Sequence, residues 1–114
     1  MKAKIYHNPR CSKSRATLAL LAERRVETEI VDYLTNPPSR ETLARLLRKL
    51  GQQAITLVRT GDTEFGEYAG RKLGDDEILD LLVALPRLLQ RPIVEVGARA
   101  RIGRPPEQVL ELLE

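Results

Sequence analysis

The stretch IYHNPRCSKSR, residues 5–15, holds the only cysteine and the only histidine of the chain. It joins a predicted short β-strand, Lys4-Ile5-Tyr6, to a helical pattern that runs from Ser14 to Arg25. Cys11 therefore lies two or three residues before a predicted helix, in the loop that leaves the first strand. The helix is predicted from the spacing of its apolar residues, Leu18, Leu20, Leu21 and Ala22.

The first third of the chain predicts a βαβ unit. A second strand is expected at Thr28–Tyr33, where β-branched and aromatic residues follow one another. Strand, helix and strand in close succession favour two parallel strands. Asn36-Pro37-Pro38 then interrupts the chain, and Ser39 is a typical N-cap for a helix over Arg40–Leu50, which Gly51 ends.

The rest of the chain predicts helices around a second pair of strands. Residues 54–58 suit either a strand or a short helix, and residues 62–70 predict a loop with a helical turn. A helix is expected from Asp75 to about Leu85, where Pro86 stops it. Two strands follow at Arg91–Val96 and Ala100–Ile102, joined by a tight turn at Gly97-Ala98-Arg99. A last helix begins at Pro105 and Pro106 and is expected to bury Val109, Leu110 and Leu113.

These elements predict a single α/β domain over residues 1–114 with a small mixed sheet. The order is β-α-β, a helical insertion at about residues 39–90, and β-β-α. We see no internal repeat.

Composition narrows the class of protein. No stretch approaches the roughly 20 apolar residues of a membrane helix, and no signal peptide is visible, so we expect an intracellular, cytoplasmic protein. The net charge of +3 suits an anionic partner, whereas three tyrosines, one phenylalanine and no tryptophan argue against nucleic acid. One cysteine and one histidine are too few for a typical zinc site, so no metal is expected.

Cys11 is a candidate nucleophile. A free thiol has a pKa of about 8.5, and a helix N-terminus with nearby cations lowers it. The same amides and cations also bind an oxyanion. His7, Ser14 and Arg15 are candidate supporting residues for the thiolate. Each also has an ordinary interpretation, since His7 suits a loop, Ser14 suits a helix N-cap, and Arg15 suits a solvent-exposed position.

The spacing Cys11-Ser12-Lys13-Ser14 lacks the second thiol of a Cys-x-x-Cys motif. An oxidised adduct on Cys11 must therefore be cleared by a thiol of another molecule, such as glutathione or a glutaredoxin.

Five blocks of the sequence together resemble the glutaredoxin-dependent arsenate reductase (ArsC) family. They are YHNPRCSKSR, YLTNPPSRETL, LVRTGD, RPIVEV and IGRPPE, in the family's order and over essentially the whole chain. The resemblance implies a thioredoxin-like fold with a helical insertion. It also implies a function in arsenic detoxification, the reduction of arsenate to arsenite, with glutathione as co-substrate, glutaredoxin as partner and no bound cofactor.

The resemblance also assigns residues. It makes Cys11 the nucleophile that forms an adduct with arsenic, and Arg59, Arg91 and Arg104 the arginines that bind the oxyanion. It further implies that the peptide bond before Pro92 is cis. An arginine suits this role because its planar fork holds two oxygens at once.

Two alternatives come from other functional classes. An Spx-like transcription regulator that binds RNA polymerase shares the expected fold, but its redox switch typically uses Cys-x-x-Cys. A glutaredoxin-like thiol transferase needs only a single thiol, and its arginines would bind the carboxylates of glutathione instead of arsenate.

Overall fold

The computed structural model describes all residues, Met1–Glu114, and divides the chain into two compact units. The first combines Met1–Asn36 with Arg91–Glu114, and the second is Pro37–Gln90. The bounds of the second unit nearly coincide with the predicted insertion. That the whole chain acts as a single domain stays a prediction.

The first unit contains a four-stranded mixed sheet with the strand order β2-β1-β3-β4. The central strands β1 and β3 are antiparallel, as are β3 and β4, whereas β1 and β2 are parallel, as the βαβ pattern predicts. The bounds are β1 Lys2–His7, β2 Glu27–Asp32, β3 Ile93–Val96 and β4 Arg99–Ile102. The turn between β3 and β4 is thus one residue shorter than predicted, because Arg99 already pairs with Val96. Gly97 allows this tight turn, since its φ of 56° is in the left-handed region.

Helix α1, Ser12–Glu23, and a 3₁₀ helix, Pro106–Leu113, pack against this sheet. The core they share is apolar and consists of Ala3, Ile5, Leu21, Val94, Val109 and Leu112.

Helix α1 begins two residues earlier than predicted, so Cys11 is its N-cap residue. The predicted start was too late because the two additional residues, Ser12 and Lys13, are polar and exposed, and an apolar pattern cannot detect them. Ala22, which the pattern placed among the apolar positions, is exposed.

The last helix also differs from the prediction. It is a 3₁₀ helix that buries Pro106, Val109 and Leu112, while Leu110 and Leu113 are only half-buried. A 3₁₀ helix has three residues per turn, so residues spaced by three share a face.

The second unit contains helix α2, Arg40–Leu50, helix α3, Asp75–Ala84, and three 3₁₀ helices at Ala54–Leu57, Thr63–Tyr68 and Pro86–Leu88. Helix α2 has the predicted bounds, with the Ser39 side chain accepting from the backbone N–H of Thr42 and Gly51 left-handed at its end. The ambiguous segment is a 3₁₀ helix that leads into an isolated bridge between Val58 and Leu89. None of the helices combines the length and the apolar character that crossing a bilayer requires.

Candidate active site

Cys11 lies at the junction of β1 and α1, where the carboxyl end of a parallel strand meets a helix N-terminus. Its side chain is buried, and its backbone N–H donates to the carbonyl of Asn8 at 3.0 Å. The Asn8 side chain accepts from the backbone N–H of Arg10 at 2.9 Å. Asn8 therefore forms the turn that its residue type predicts, and this turn presents the sulfur to the unpaired amides of the first helical turn.

The surroundings of the sulfur favour the thiolate. Burial by itself raises the pKa of Cys11, but hydrogen bonds from the backbone N–H groups of Ser14 and Lys13 and the charges of Arg91 and Arg104 lower it further than burial raises it. The resulting pKa lies below that of an ordinary cysteine. A lowered pKa increases the fraction of thiolate, which is the nucleophilic form that a helix N-terminus is expected to favour.

Arg104 contacts the sulfur directly. Its Nη2 donates to Sγ of Cys11 at 3.5 Å, and its Nε donates to the carbonyl oxygen of Arg91 at 2.8 Å. The hydrogen bond to the backbone carbonyl of Arg91 thus orients the Arg104 guanidinium independently of its contact with the sulfur. The structure brings Cys11, Arg91 and Arg104 together within the first unit.

Both arginines precede a cis peptide bond, Arg91–Pro92 and Arg104–Pro105. The resemblance implied the first, whereas nothing in the sequence analysis indicated the second. Between them, Gly103 approaches α1 closely: a Cβ atom built there would lie 2.5 Å from Oγ1 of Thr17 and 2.8 Å from Cγ of Pro92. This close approach requires glycine and brings the segment that carries Arg104 against helix α1.

His7 and Ser14 form a second layer behind the cysteine. Nδ1 of His7 lies 2.6 Å from Oγ of Ser14, and the same oxygen accepts from the backbone N–H of Asn8 at 3.1 Å. Burial lowers the pKa of His7. The charge of Asp32 raises this pKa and offsets part of the effect, whereas the charge of Arg15 lowers it further. In the neutral tautomer with its proton on Nε2, the imidazole accepts a hydrogen bond at Nδ1 from the Ser14 hydroxyl. Ser14 therefore faces the sulfur with its backbone N–H, while its hydroxyl binds His7.

The Arg15 side chain is hydrogen-bonded to the backbone of the cysteine loop. It is exposed, and its Nη1 donates to the carbonyl of Pro9 at 2.9 Å. Arg15 was expected either in solvent or near the sulfur. In the structure its side chain is exposed to solvent and bonds to the loop backbone.

Arg59 belongs to the second unit, in which its Nη1 lies 3.2 Å from Oδ2 of Asp62 and 3.4 Å from the carbonyl of Arg87. Asp62 also pairs with Nε of Arg87 at 3.1 Å. The pKa of Asp62 is lowered by the backbone N–H of Glu64, against the effect of burial, and further by Arg87. The role of Arg59 in oxyanion binding stays a prediction.

Tyr33 is a site residue that the sequence analysis missed. It is buried, which raises its pKa, and it is close enough to Asn8, Arg91 and Cys11 for these residues to affect that pKa as well. Tyr33 ends the predicted second strand, and no local signal separates a tyrosine at a strand end from one at a site. No group of three or more His, Cys, Asp or Glu side chains is arranged to hold a metal ion.

The model of the ArsC family matches residues 6–112. The chain belongs to the ArsC family. Among its relatives, the uncharacterized protein YfgD of Escherichia coli K12 is 48% identical over 98% of this chain and 97% of its own length. An arsenate reductase of Neisseria meningitidis serogroup A is 42% identical over 96% of this chain and 97% of its own length.

The ArsC family also accounts for the fold. The solved structure of an arsenate reductase from Vibrio cholerae is 42% identical and superposes with a TM-score of 0.93 over 98% of both chains. The predicted class, a thioredoxin-like α/β fold with a small mixed sheet, is confirmed.

Proposed function

We propose that this ArsC protein reduces arsenate to arsenite through a covalent adduct on Cys11. One observation carries the proposal: the sulfur lies at the N-terminus of α1, has a lowered pKa, and is 3.5 Å from a guanidinium nitrogen of Arg104. Nucleophile and anion-binding groups therefore coincide, as attack on a tetrahedral oxyanion requires. Arsenate reductases among the relatives support the choice of substrate.

In the proposed complex, arsenate binds against the first turn of α1 with its oxygens on Arg91 and Arg104. Backbone N–H groups at a helix N-terminus and arginine forks are both suited to a tetrahedral oxyanion. We propose Arg59 as a third ligand because the family resemblance assigns it that role.

The chemical steps follow from the single thiol. The Cys11 thiolate attacks arsenic, an oxygen leaves as water after protonation, and a sulfur–arsenic bond forms. Reduction from the pentavalent to the trivalent state takes two electrons, which two external thiols supply as they become one disulfide. Water then cleaves the sulfur–arsenic bond, which releases arsenite and returns the Cys11 thiol. We propose glutathione and glutaredoxin as the source of these thiols and the cytoplasm as the location, because Cys11 is the only cysteine in the chain.

The proposal is tested by measuring arsenate-dependent oxidation of glutathione in the presence of glutaredoxin. Cys11→Ser should abolish turnover, while Ser12→Ala, a change at the exposed neighbouring residue, should leave it nearly unchanged. Omitting either reductant should stop the wild-type reaction. Wild-type turnover by the Cys11→Ser variant would refute the mechanism. Activity on a glutathione mixed disulfide with none on arsenate would identify a thiol transferase instead.

A further inference from the structure

Asp62 is a buried carboxylate in the second unit that binds two arginines. Its side chain is 2% exposed, and its Oδ2 lies 3.2 Å from Nη1 of Arg59 and 3.1 Å from Nε of Arg87. The Arg59 side chain is 25% exposed and that of Arg87 is 58% exposed, so Arg59 is the more enclosed of the two. A buried carboxylate needs partners for both of its oxygens, so these contacts indicate what the group does.

The two oxygens of this carboxylate have different contacts. Oδ1 accepts from the backbone N–H of Glu64 at 2.9 Å and caps the 3₁₀ helix Thr63–Tyr68. Oδ2 receives the two arginines. A substitution that keeps an oxygen in the place of Oδ1 and alters Oδ2 therefore separates helix capping from arginine binding.

The backbone of Arg59 is fixed independently of its side chain. Its N–H donates to the carbonyl of Leu88 at 2.8 Å. Its carbonyl accepts from the N–H of Asp62 at 3.0 Å, which closes a turn over residues 59–62. This turn brings the carboxylate of its last residue to the guanidinium of its first.

These contacts engage one nitrogen of the Arg59 guanidinium. Nη1 pairs with Oδ2 of Asp62 and lies 3.4 Å from the carbonyl oxygen of Arg87. Nε and Nη2, which form another edge of the planar fork, take part in neither contact. Because one edge of an arginine fork can bind two oxygens of an oxyanion, contacts on Nη1 orient the edge that Nε and Nη2 form.

We propose that Asp62 is a positioning residue for the oxyanion: by binding Nη1 of Arg59, its Oδ2 holds the guanidinium so that the edge formed by Nε and Nη2 is presented to arsenate. The inference rests on the proposed function, in which Arg59 is the third arginine ligand. Asp62 acts through Arg59 and does not itself bind the oxyanion. Its pKa is lowered, chiefly by the backbone N–H of Glu64, so the group is a carboxylate at neutral pH.

The direction of the change in arsenate affinity separates positioning from simple electrostatics. The negative charge of Asp62 repels an anion, so removing the charge would by itself strengthen arsenate binding. The contact with Nη1 of Arg59 orients a ligand, so its loss weakens binding. If positioning is the larger effect, a variant without the charge binds arsenate more weakly.

The test is Asp62→Asn, which keeps an oxygen for the Glu64 N–H and removes the charge that faces the arginines. Arsenate binding is measured by isothermal titration calorimetry in the Cys11→Ser background, which has no thiol to react. We expect the Kd for arsenate to rise about fivefold, the factor set by one net hydrogen bond. Glu64→Gln is the matched control: it removes an equal charge from an exposed residue of the same 3₁₀ helix and should not weaken binding.

The orientation of Arg59 is also measured without arsenate. In NMR spectra, the heteronuclear NOE of the Arg59 Nε–H group should decrease in Asp62→Asn, because the guanidinium becomes more mobile, and should stay unchanged in Glu64→Gln. Asp62→Ser, whose hydroxyl still serves as an N-cap acceptor, should behave like Asp62→Asn. This second variant keeps the proposal testable if Asp62→Asn does not fold.

A double-mutant cycle with Arg59→Ala tests the route. Arg59→Ala alone should weaken arsenate binding, and Asp62→Asn should add little in that background. Unchanged or tighter binding in Asp62→Asn, while Arg59→Ala weakens it, would overturn this inference and leave the proposed function intact. So would an equal weakening by Glu64→Gln. Unchanged binding in Arg59→Ala would remove Arg59 from the proposed ligands and this inference with it, and no arsenate binding to any of the proteins would overturn both.

Discussion

Replacing Arg104 with alanine is expected to raise the pKa of the Cys11 thiol. The guanidinium donates to the sulfur at 3.5 Å, and this cation stabilises the thiolate but not the neutral thiol. The variant should therefore react more slowly with alkylating agents at neutral pH. It should also lose activity, because the same guanidinium is proposed to bind arsenate.

The size of the effect follows from Coulomb's law. Two unit charges at the observed 3.5 Å attract by about 1.2 kcal/mol in bulk water and by about 4.7 kcal/mol at an effective dielectric constant near 20. At 1.36 kcal/mol per unit, these limits correspond to pKa changes of about 0.9 and about 3.5. Removing the side chain also admits water, which stabilises the thiolate. We therefore expect an increase near the lower limit, about one unit.

The assay is thiolate absorbance in the ultraviolet, followed against pH in a protein with a single cysteine. Arg104→Lys should give an intermediate pKa, because the charge stays while the oriented fork is lost. Arg101→Ala is the control: it removes an equal charge from β4, where Nε of Arg101 pairs with Glu111 at 3.4 Å. A thiol pKa that is the same in wild type and Arg104→Ala would refute the electrostatic reasoning.

Three further predictions concern stability and ionisation. Gly103→Ala should lower the unfolding free energy by about 1–3 kcal/mol through overpacking, because the new Cβ would lie 2.5 Å from Oγ1 of Thr17 in α1. The change is measured by chemical denaturation, with Gly61→Ala as the control because nothing lies within 4 Å of a Cβ at that position. Equal losses in the two variants would contradict the packing argument. Burial lowers the pKa of His7, so its imidazole should titrate in NMR spectra below the ordinary histidine value. The unfolded chain then takes up the proton first, so stability should decrease as the pH falls through the ordinary histidine range; titration above that range would contradict this. Asp62→Asn should lower the thermal unfolding midpoint at neutral pH, because the backbone hydrogen bond and two arginine pairs of the carboxylate are weakened. The pKa of this carboxyl is lowered, so the difference from wild type should disappear as the pH falls through that pKa, and a difference that persists in acid would exclude the ionic cause.

Elements with local start and stop signals were predicted best. Helix α2 has the expected bounds because its N-cap, Ser39, and its left-handed terminal glycine, Gly51, act within one turn of the residues they cap. Helix α1 was predicted to start too late because its first two residues, Ser12 and Lys13, are polar and exposed. Apolar periodicity does not register such residues.

The site was predicted only in part, because sequence patterns record residues that are neighbours in the chain. Cys11 is recognisable because its cationic neighbours and the following helix are adjacent in the chain. The position of Tyr33 near Cys11 and Arg91 depends on the register of β1 against β2, which local sequence does not specify. The part played by Gly103 depends on its packing against the ring of Pro92 and against Thr17, which lies far from it along the chain.

The sequence by itself determined that this protein has one thiol, at a helix start, and that any second thiol in its chemistry must come from another molecule. Which of the 19 lysines and arginines faces that thiol was decided only by the tertiary structure. Arg104 is 93 residues from Cys11, and the contact exists because β3 pairs antiparallel with β1 and with β4, bringing the chain back to the start of α1. Local patterns record interactions between neighbours in the chain, whereas an ion site is formed by residues that only folding brings together.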